Sequence, residues 1–400
     1  MSQWKQPPVT ESLSEIDRKM IGLMERYQIV GLSVAAVKDD RLVWSNAYGW
    51  ADLDRGVPVT EETVFRIASI SKLFTATALM QQVEQGKCQL DDDIGDYLGF
   101  AVRNPHHPAD KITFRQLLTH TTSLHEDEQG GELYVVFSQA SRNPNPPSLQ
   151  DLLVPGGSLY RDTLWSSFAP GDPRCFAYSN LASMIVAALV EKLSGTVFDE
   201  YVRHHILRPL GMDSSDFNVQ ALADIEKLAV LYGYEDGAFM AGVDELKGVK
   251  PEPIDWSNYA IGTNGSLYGP QGGLRTNAVD LSKFVRAMLH GGSFNGARIL
   301  KEETVEQMLS TQWKQAGVND SFDEIGLQFH ITDQCIAGKR MYGHGGNAYG
   351  LLSGLYFDRD EKTGLVFITS GSNSGEQVHG GFYEVEAAVL QQLYEAVFRK

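Results

Sequence analysis

Cysteine is scarce: the 400 residues hold three, Cys88, Cys175 and Cys335, too few and too far apart for a disulfide framework or a zinc cage. The odd count reads as free thiols in a reducing compartment. Long apolar runs are missing too. The longest, around Leu181–Val190, is broken by Glu191 and Lys192, short of the ~20 residues a membrane span needs. Positive charge is in deficit, with 34 Lys and Arg against 51 Asp and Glu, a net charge of −17. Such a surface repels phosphate backbones and anionic lipid, so neither nucleic acid nor membrane is expected as a partner. No H-E-x-x-H is present, and the adjacent pairs His106-His107 and His204-His205 do not share a helix face. The glycine pairs at 262–265 and 272–273 lack dinucleotide or Walker spacing, so no metal and no cofactor is expected. The first twenty residues have no apolar core and no small-residue cleavage site. A cytoplasmic location is therefore expected if Met1 is the natural start, and a periplasmic or secreted one if a leader preceded it.

What is present fits an ordinary globular chain: 42% hydrophobic and 21% charged residues exclude disorder as the main story. Leu32–Val37 and Leu42–Trp50 are β-branched, apolar runs around Asp39-Asp40 and predict a hairpin. Leu351–Phe357 and Leu365–Ser370 predict a second. Between them the pattern turns helical: Leu73–Val83 stopped by Gly86, Leu181–Leu189 stopped by Gly195, and Leu281–Met288 with Asn277 and Asp280 as cap and Gly291 as stop. A last helix is expected over about Tyr383–Phe398. Glu126–Asp162 and roughly Ala221–Asn258 resist assignment and read as long functional loops. Strands near both ends and helices between them imply an α/β body from residues 1–75 and 255–400, with a mainly helical insertion at 76–254 and a site where they meet.

Ser69 and Lys72 stand three apart just before a helical pattern, so their side chains can touch. A desolvated lysine loses proton affinity and can take a serine proton. The helix N-terminus also offers N–H groups to an oxyanion. A bare S-x-x-K is a weak signal, since composition alone yields on the order of one or two in a chain of this length. Its surroundings are specific. Phe65–Ala76, Ile112–Leu124 (ITFRQLLTHTTSL) and Pro170–Ala182, with Tyr178-Ser179-Asn180 as a Y-x-N triplet, together resemble the penicillin-recognising serine hydrolases. They look most like the branch of class C β-lactamases, esterases and D-aminopeptidases. Ser123 departs from that pattern, standing where the family usually has Gly. The resemblance runs in order from about Ile29 to Ser370.

It implies the β-lactamase-like fold, an antiparallel sheet flanked by helices with a helical insertion, and it implies roles. Ser69 matches the nucleophile, Lys72 the base or proton shuttle, Tyr178 the phenol that shares the proton, and Asn180 the amide that holds the lysine. His120 belongs to the second segment and reads as structural. The family's third motif is K-T-G on a strand beside the site. Lys362-Thr363-Gly364 has those letters but lies in the turn of the second hairpin. His344-Gly345-Gly346, followed by Asn347, occupies the position before that hairpin and is taken instead. Its glycines would let a substrate lie along the strand. The N–H groups of Ser69 and Asn347 would form the oxyanion hole.

His344 in place of Lys removes a fixed cation for substrate carboxylates. A titration near the ordinary histidine value of about 6.5 is expected there, with carboxylate-bearing substrates binding better in acid. The departure favours small esters or amides, or a short peptide, as substrate. D-aminopeptidase or D-amino-acid amidase, and β-lactamase or DD-peptidase, are the alternatives. A penicillin-binding sensor that acylates without turnover and an acyltransferase are the rivals from other classes.

Overall fold

The computed structural model describes residues 13–126, 137, 139, 144–315 and 323–399. Among these residues nine strands form one sheet: Gly31–Lys38 (β1), Arg41–Asp52 (β2), Val57–Pro58 (β3), Trp313–Lys314 (β4), Glu324–Ile325 (β5), His330–Thr332 (β6), Met341–Ala348 (β7), Leu351–Asp358 (β8) and Thr363–Thr369 (β9). Their lateral order is β4-β5-β6-β7-β8-β9-β1-β2-β3, antiparallel throughout. Both expected hairpins are there. The first turns at Asp39-Asp40, with Asp39 at φ +54, a left-handed conformation its short polar side chain tolerates. In the second, Lys362 closes the turn at φ +51 while Thr363 and Gly364 already pair with Asp358 and Phe357.

Among the described residues six helices have eight or more residues: Glu15–Arg26 (α1), Ser71–Glu84 (α2), Asn180–Ser194 (α3), Ala278–Leu289 (α4), Glu302–Leu309 (α5) and Glu384–Phe398 (α6). Strand side chains alternate between faces. From β1, Leu32, Val34 and Ala36 meet Met20 and Met24 of α1 and Val389 and Leu393 of α6, while Ala35 and Val37 join Leu281, Phe284 and Val285 of α4 in the second core. Burial on both faces is why β1 reads as an apolar run with the buried Ser33 as its one polar interruption before Lys38. The second core continues without a gap into α2 and α3 through Leu79, Met184 and Leu189. The helical region and the sheet therefore share one hydrophobic interior.

Capping follows the sequence. Asn277 accepts from the Asp280 N–H, and Gly195 ends α3 in the left-handed region. Two segments taken as irregular are ordered. Ser148 and Asp151 form a capping box on a short helix, Leu149–Leu153. Leu231–Glu235 and Ala238–Val243 form a hairpin, which corrects the expectation of an irregular loop in a mainly helical stretch. Much of it is exposed, and Gly233 and Gly242 interrupt the apolar alternation that would mark strands. Parts of the Glu126–Asp162 stretch, 127–136, 138 and 140–143, lie outside the described residues. Among the described residues no single helix is long and apolar enough to cross a membrane.

Candidate active site

Ser69 sits in a tight turn, Ala68–Ile70, leading into α2. Ala68 takes φ +47, a backbone state that costs a non-glycine residue about 1 kcal/mol or more. That bend presents Ser69 to a cavity of about 450 Å³ whose walls include Tyr178, His344, Gly345, Gly346 and Asn347. The structure thus brings Ser69 and the segments predicted from residues far along the chain to one place.

Nearly every side chain of α2 from Ser71 to Gln82 is buried, so Lys72 has no solvent face to turn to. Burial drives its pKa down to about 7, against a smaller opposing pull from the Glu126 carboxylate. The Lys72 Nζ donates to Asn180 Oδ1 at 2.8 Å, to the Gln271 carbonyl at 2.9 Å and to Ser69 Oγ at 3.1 Å. Two of these partners are carbonyl oxygens, which can only accept. A neutral amine keeps two N–H bonds for them, so its lone pair is left pointing at Ser69 Oγ. This arrangement suits proton abstraction from the serine.

Tyr178 lies over the same ammonium, with Nζ 4.8 Å from its ring centroid. Its ring also packs on His120 at 4.6 Å and faces His344 at 6.0 Å. His120 is buried at φ +57, and its Nδ1 accepts the Ser179 N–H at 3.1 Å. It anchors the backbone beside Tyr178, in line with the structural reading. Ser123 takes φ +65, the conformation glycine adopts freely, and its hydroxyl accepts from Asn104 Nδ2 at 3.0 Å. The departure from glycine there is accommodated locally.

Glu126 is a site residue that sequence reasoning missed. One of its oxygens accepts from both the Ser179 hydroxyl and the Leu181 N–H, each at 2.6 Å, so it caps the N-terminus of α3 and holds Asn180 in place. It lies in a stretch without periodicity, which gave no signal. Gln271 was missed because it acts through its backbone carbonyl, which no side-chain motif reports. Glu126→Gln removes the charge that supports the Lys72 proton. The inflection of the pH–rate profile should then move to lower pH, and an unchanged or raised inflection would show that Glu126 acts only as a cap.

Two expectations at the third motif change. His344 is buried, and its Nδ1 lies 2.5 Å from the Gly345 carbonyl. Burial and the nearby Lys72 push its pKa down to about 3, so it does not titrate near 6.5 and stays neutral across the range where carboxylate substrates were expected to gain from acid. Gly346 serves packing: a Cβ there would stand 2.5 Å from the Ile67 carbonyl, so only glycine lets β7 approach the Ser69 turn this closely. Lys362, Thr363 and Gly364 do not line the cavity. Among the described residues no group of three His, Cys, Asp or Glu side chains is placed to hold a metal ion. All three cysteines are free and buried.

This sheet, with the Ser-x-x-Lys turn packed against an inner strand, is that of the serine β-lactamase-like hydrolases. The Beta-lactamase family model matches residues 16–389, and the chain belongs to that family. Among curated proteins it is similar to penicillin-binding protein 4* of Bacillus subtilis (strain 168), 25% identical over 295 residues. That match covers 71% of this chain but 59% of the relative, so the chain spans well under two thirds of the relative's length. Of solved structures, it resembles the D-amino acid amidase of Ochrobactrum anthropi SV3, with TM-score 0.68 and 20% identity over 96% of this chain and 99% of that one. It also resembles EstCE1, described as a hydrolase with promiscuous acyltransferase activity, with TM-score 0.70 and 21% identity over 94% and 98% of the two chains.

Proposed function

We propose that the chain hydrolyses small esters or amides through an acyl-enzyme formed on Ser69. Lys72 takes the serine proton and Tyr178 passes it to the leaving group. Water then releases the acyl group by the reverse route. Asn180 holds Lys72 and meets the substrate, and the strand His344, Gly345, Gly346 and Asn347 receives it. The Ser69 and Asn347 N–H groups would hold the oxyanion. The observation that carries this reading is the set of three oxygens around Lys72 Nζ, which leaves a lysine of depressed pKa in contact with the serine.

The preference for esters or simple amides over β-lactams is supported by the lining of the cavity, in which no Lys or Arg takes part among the described residues. A substrate carboxylate would find the neutral His344 in the place of a fixed cation. The named relatives include an amidase and a hydrolase with acyl-transfer activity, which supports the same range of acyl chemistry. A panel of p-nitrophenyl butyrate, nitrocefin and D- and L-amino-acid p-nitroanilides tests it. The expected result is a higher kcat/KM for the butyrate than for nitrocefin. The opposite order returns the chain to the β-lactamases, and burst acylation by penicillin without turnover would make it a sensor.

Tyr178→Phe should lower kcat by about 10²–10⁴-fold with little change in KM, as for other general acid–base groups. Near-native kcat in that variant would reduce the phenol to a packing element.

A further inference from the structure

The cavity at Ser69 does not stop at His344. Strand β6 pairs with β7 only over Met341–Gly343, so beyond Gly343 that edge of β7 has no strand beside it among the described residues. The cavity passes round this edge to the opposite face, under α6. Gly345 forms the passage: a Cβ there would stand 3.5 Å from both Glu386 Oε1 and the Tyr356 hydroxyl. Without a side chain at 345, both polar atoms face the open space.

Glu386 lies in the first turn of α6 and is 5% exposed. Its Oε2 accepts the Tyr383 N–H at 2.8 Å, and Oε1 takes no hydrogen bond from the described residues. The groups facing it are uncharged. His330 of β6 is pushed down to about 3 by burial, Tyr356 of β8 and Cys335 are pushed well above their ordinary values, and Tyr383 precedes it on its own helix. Burial also pushes Glu386 up to about 8, so without a cationic ligand the recess carries little charge at neutral pH. Phe382 stacks on His330 and tilts against Tyr356, giving the recess aromatic walls. The proposed acyl transfer uses none of these residues.

We propose that this recess binds an amine-bearing part of the substrate, with an ammonium group received by Glu386 Oε1 and the Tyr356 hydroxyl. Its link to catalysis rests on the hydrolase reading above; the binding itself does not. A carboxyl that is buried, half-bonded and surrounded by neutral acceptors and aromatic faces lacks only a cation, which would pair with it and lie against the rings. On binding, the ammonium keeps its protons and Glu386 releases one to solvent, so the pair forms as a neutral unit. The net charge of −17 adds a field that draws cations toward the molecule. Glu386 then acts as a specificity residue, selecting substrates with an amine remote enough to round the edge of β7.

Benzylamine and benzyl alcohol, alike in shape and unlike in charge, are the probes. Calorimetry at pH 7 on the Ser69→Ala chain separates binding from turnover. Benzylamine is expected to bind about tenfold or more tightly than the alcohol, as a charge-assisted hydrogen bond implies. Proton release should appear as a dependence of the heat on the buffer's ionisation enthalpy. Glu386→Gln should abolish both the preference and the release. Because Glu386 also caps α6, Tyr356→Phe is the second variant, and it should reduce the preference without touching the cap. Equal binding of the two probes, or a preference unchanged in the variants, overturns the proposal. Competition by benzylamine against p-nitrophenyl butyrate in the native chain then tests the link to the reaction. Amine binding without any ester hydrolysis would count against the hydrolase reading alone, and hydrolysis without amine preference against the recess alone.

Discussion

Ser69→Ala should abolish covalent labelling by a fluorophosphonate or a penicillin probe, and lower turnover of p-nitrophenyl butyrate by about 10³-fold or more. The expectation rests on geometry rather than on the motif. Ser69 is the hydroxyl that Lys72 Nζ touches at 3.1 Å, and it opens on the cavity. The loss should not come from unfolding, because the turn at Ala68–Ile70 is held by other groups: Ile67 N–H donates to the Leu274 carbonyl, and the Ser353 hydroxyl donates to the Ile67 carbonyl at 3.0 Å. An unchanged melting temperature beside lost labelling is the expected pair of results. Labelling that persists at another serine, located by mass spectrometry, would refute the assignment.

The second large effect concerns Lys72, whose reactive form in the proposed mechanism is the neutral amine. With its pKa depressed to about 7, kcat/KM should rise about tenfold per pH unit below that value and level off above it. The inflection belongs to the Ser69–Lys72–Tyr178 cluster as a whole, since the three groups share protons. Two neighbouring histidines offer no competing explanation: burial keeps His120 well below its ordinary value and His344 at about 3, so neither changes charge in this window. Lys72→Arg keeps a cation and its donors but cannot deprotonate, and should cost about 10²–10⁴-fold in kcat/KM. A profile flat from pH 6 to 8, or an arginine variant with near-native rate, would remove Lys72 from the base role.

Reading these residues from the sequence was uneven in a way physics explains. Ser69, Lys72, Tyr178 and Asn180 could be singled out because each would act through a side chain within a short local pattern at a helix start, and the fold brings Lys72 against both Ser69 and Asn180. The hairpins at 31–52 and 351–369 were legible because β1, β8 and β9 are buried and strongly apolar, although β2 is half-exposed over its first residues. Glu126, the Gln271 carbonyl and Glu386 were not, because each takes its role from contacts over long sequence separations. The three short strands β4, β5 and β6 carry too few residues to show alternation. The titration of His344 was misjudged for a related reason. Whether an imidazole is buried beside a lysine depends on packing, and a motif letter does not record it.

The order of the sheet has a consequence for synthesis of the chain. β1 leaves the ribosome long before its partner β9, so Leu32 meets Thr369 only after the whole segment between them has been made. Ser69 likewise precedes β7, the strand packed beside its turn, by more than half the chain. Pairings this distant in sequence form late and slowly, after the loops between them have closed. A nascent chain therefore carries its serine and lysine exposed and unpositioned. Reactivity toward acylating compounds should switch on with completion of the sheet, so labelling by a fluorophosphonate probe reports that the sheet has closed. A chain halted before β7 should stay unlabelled although its Ser-x-x-Lys segment is complete.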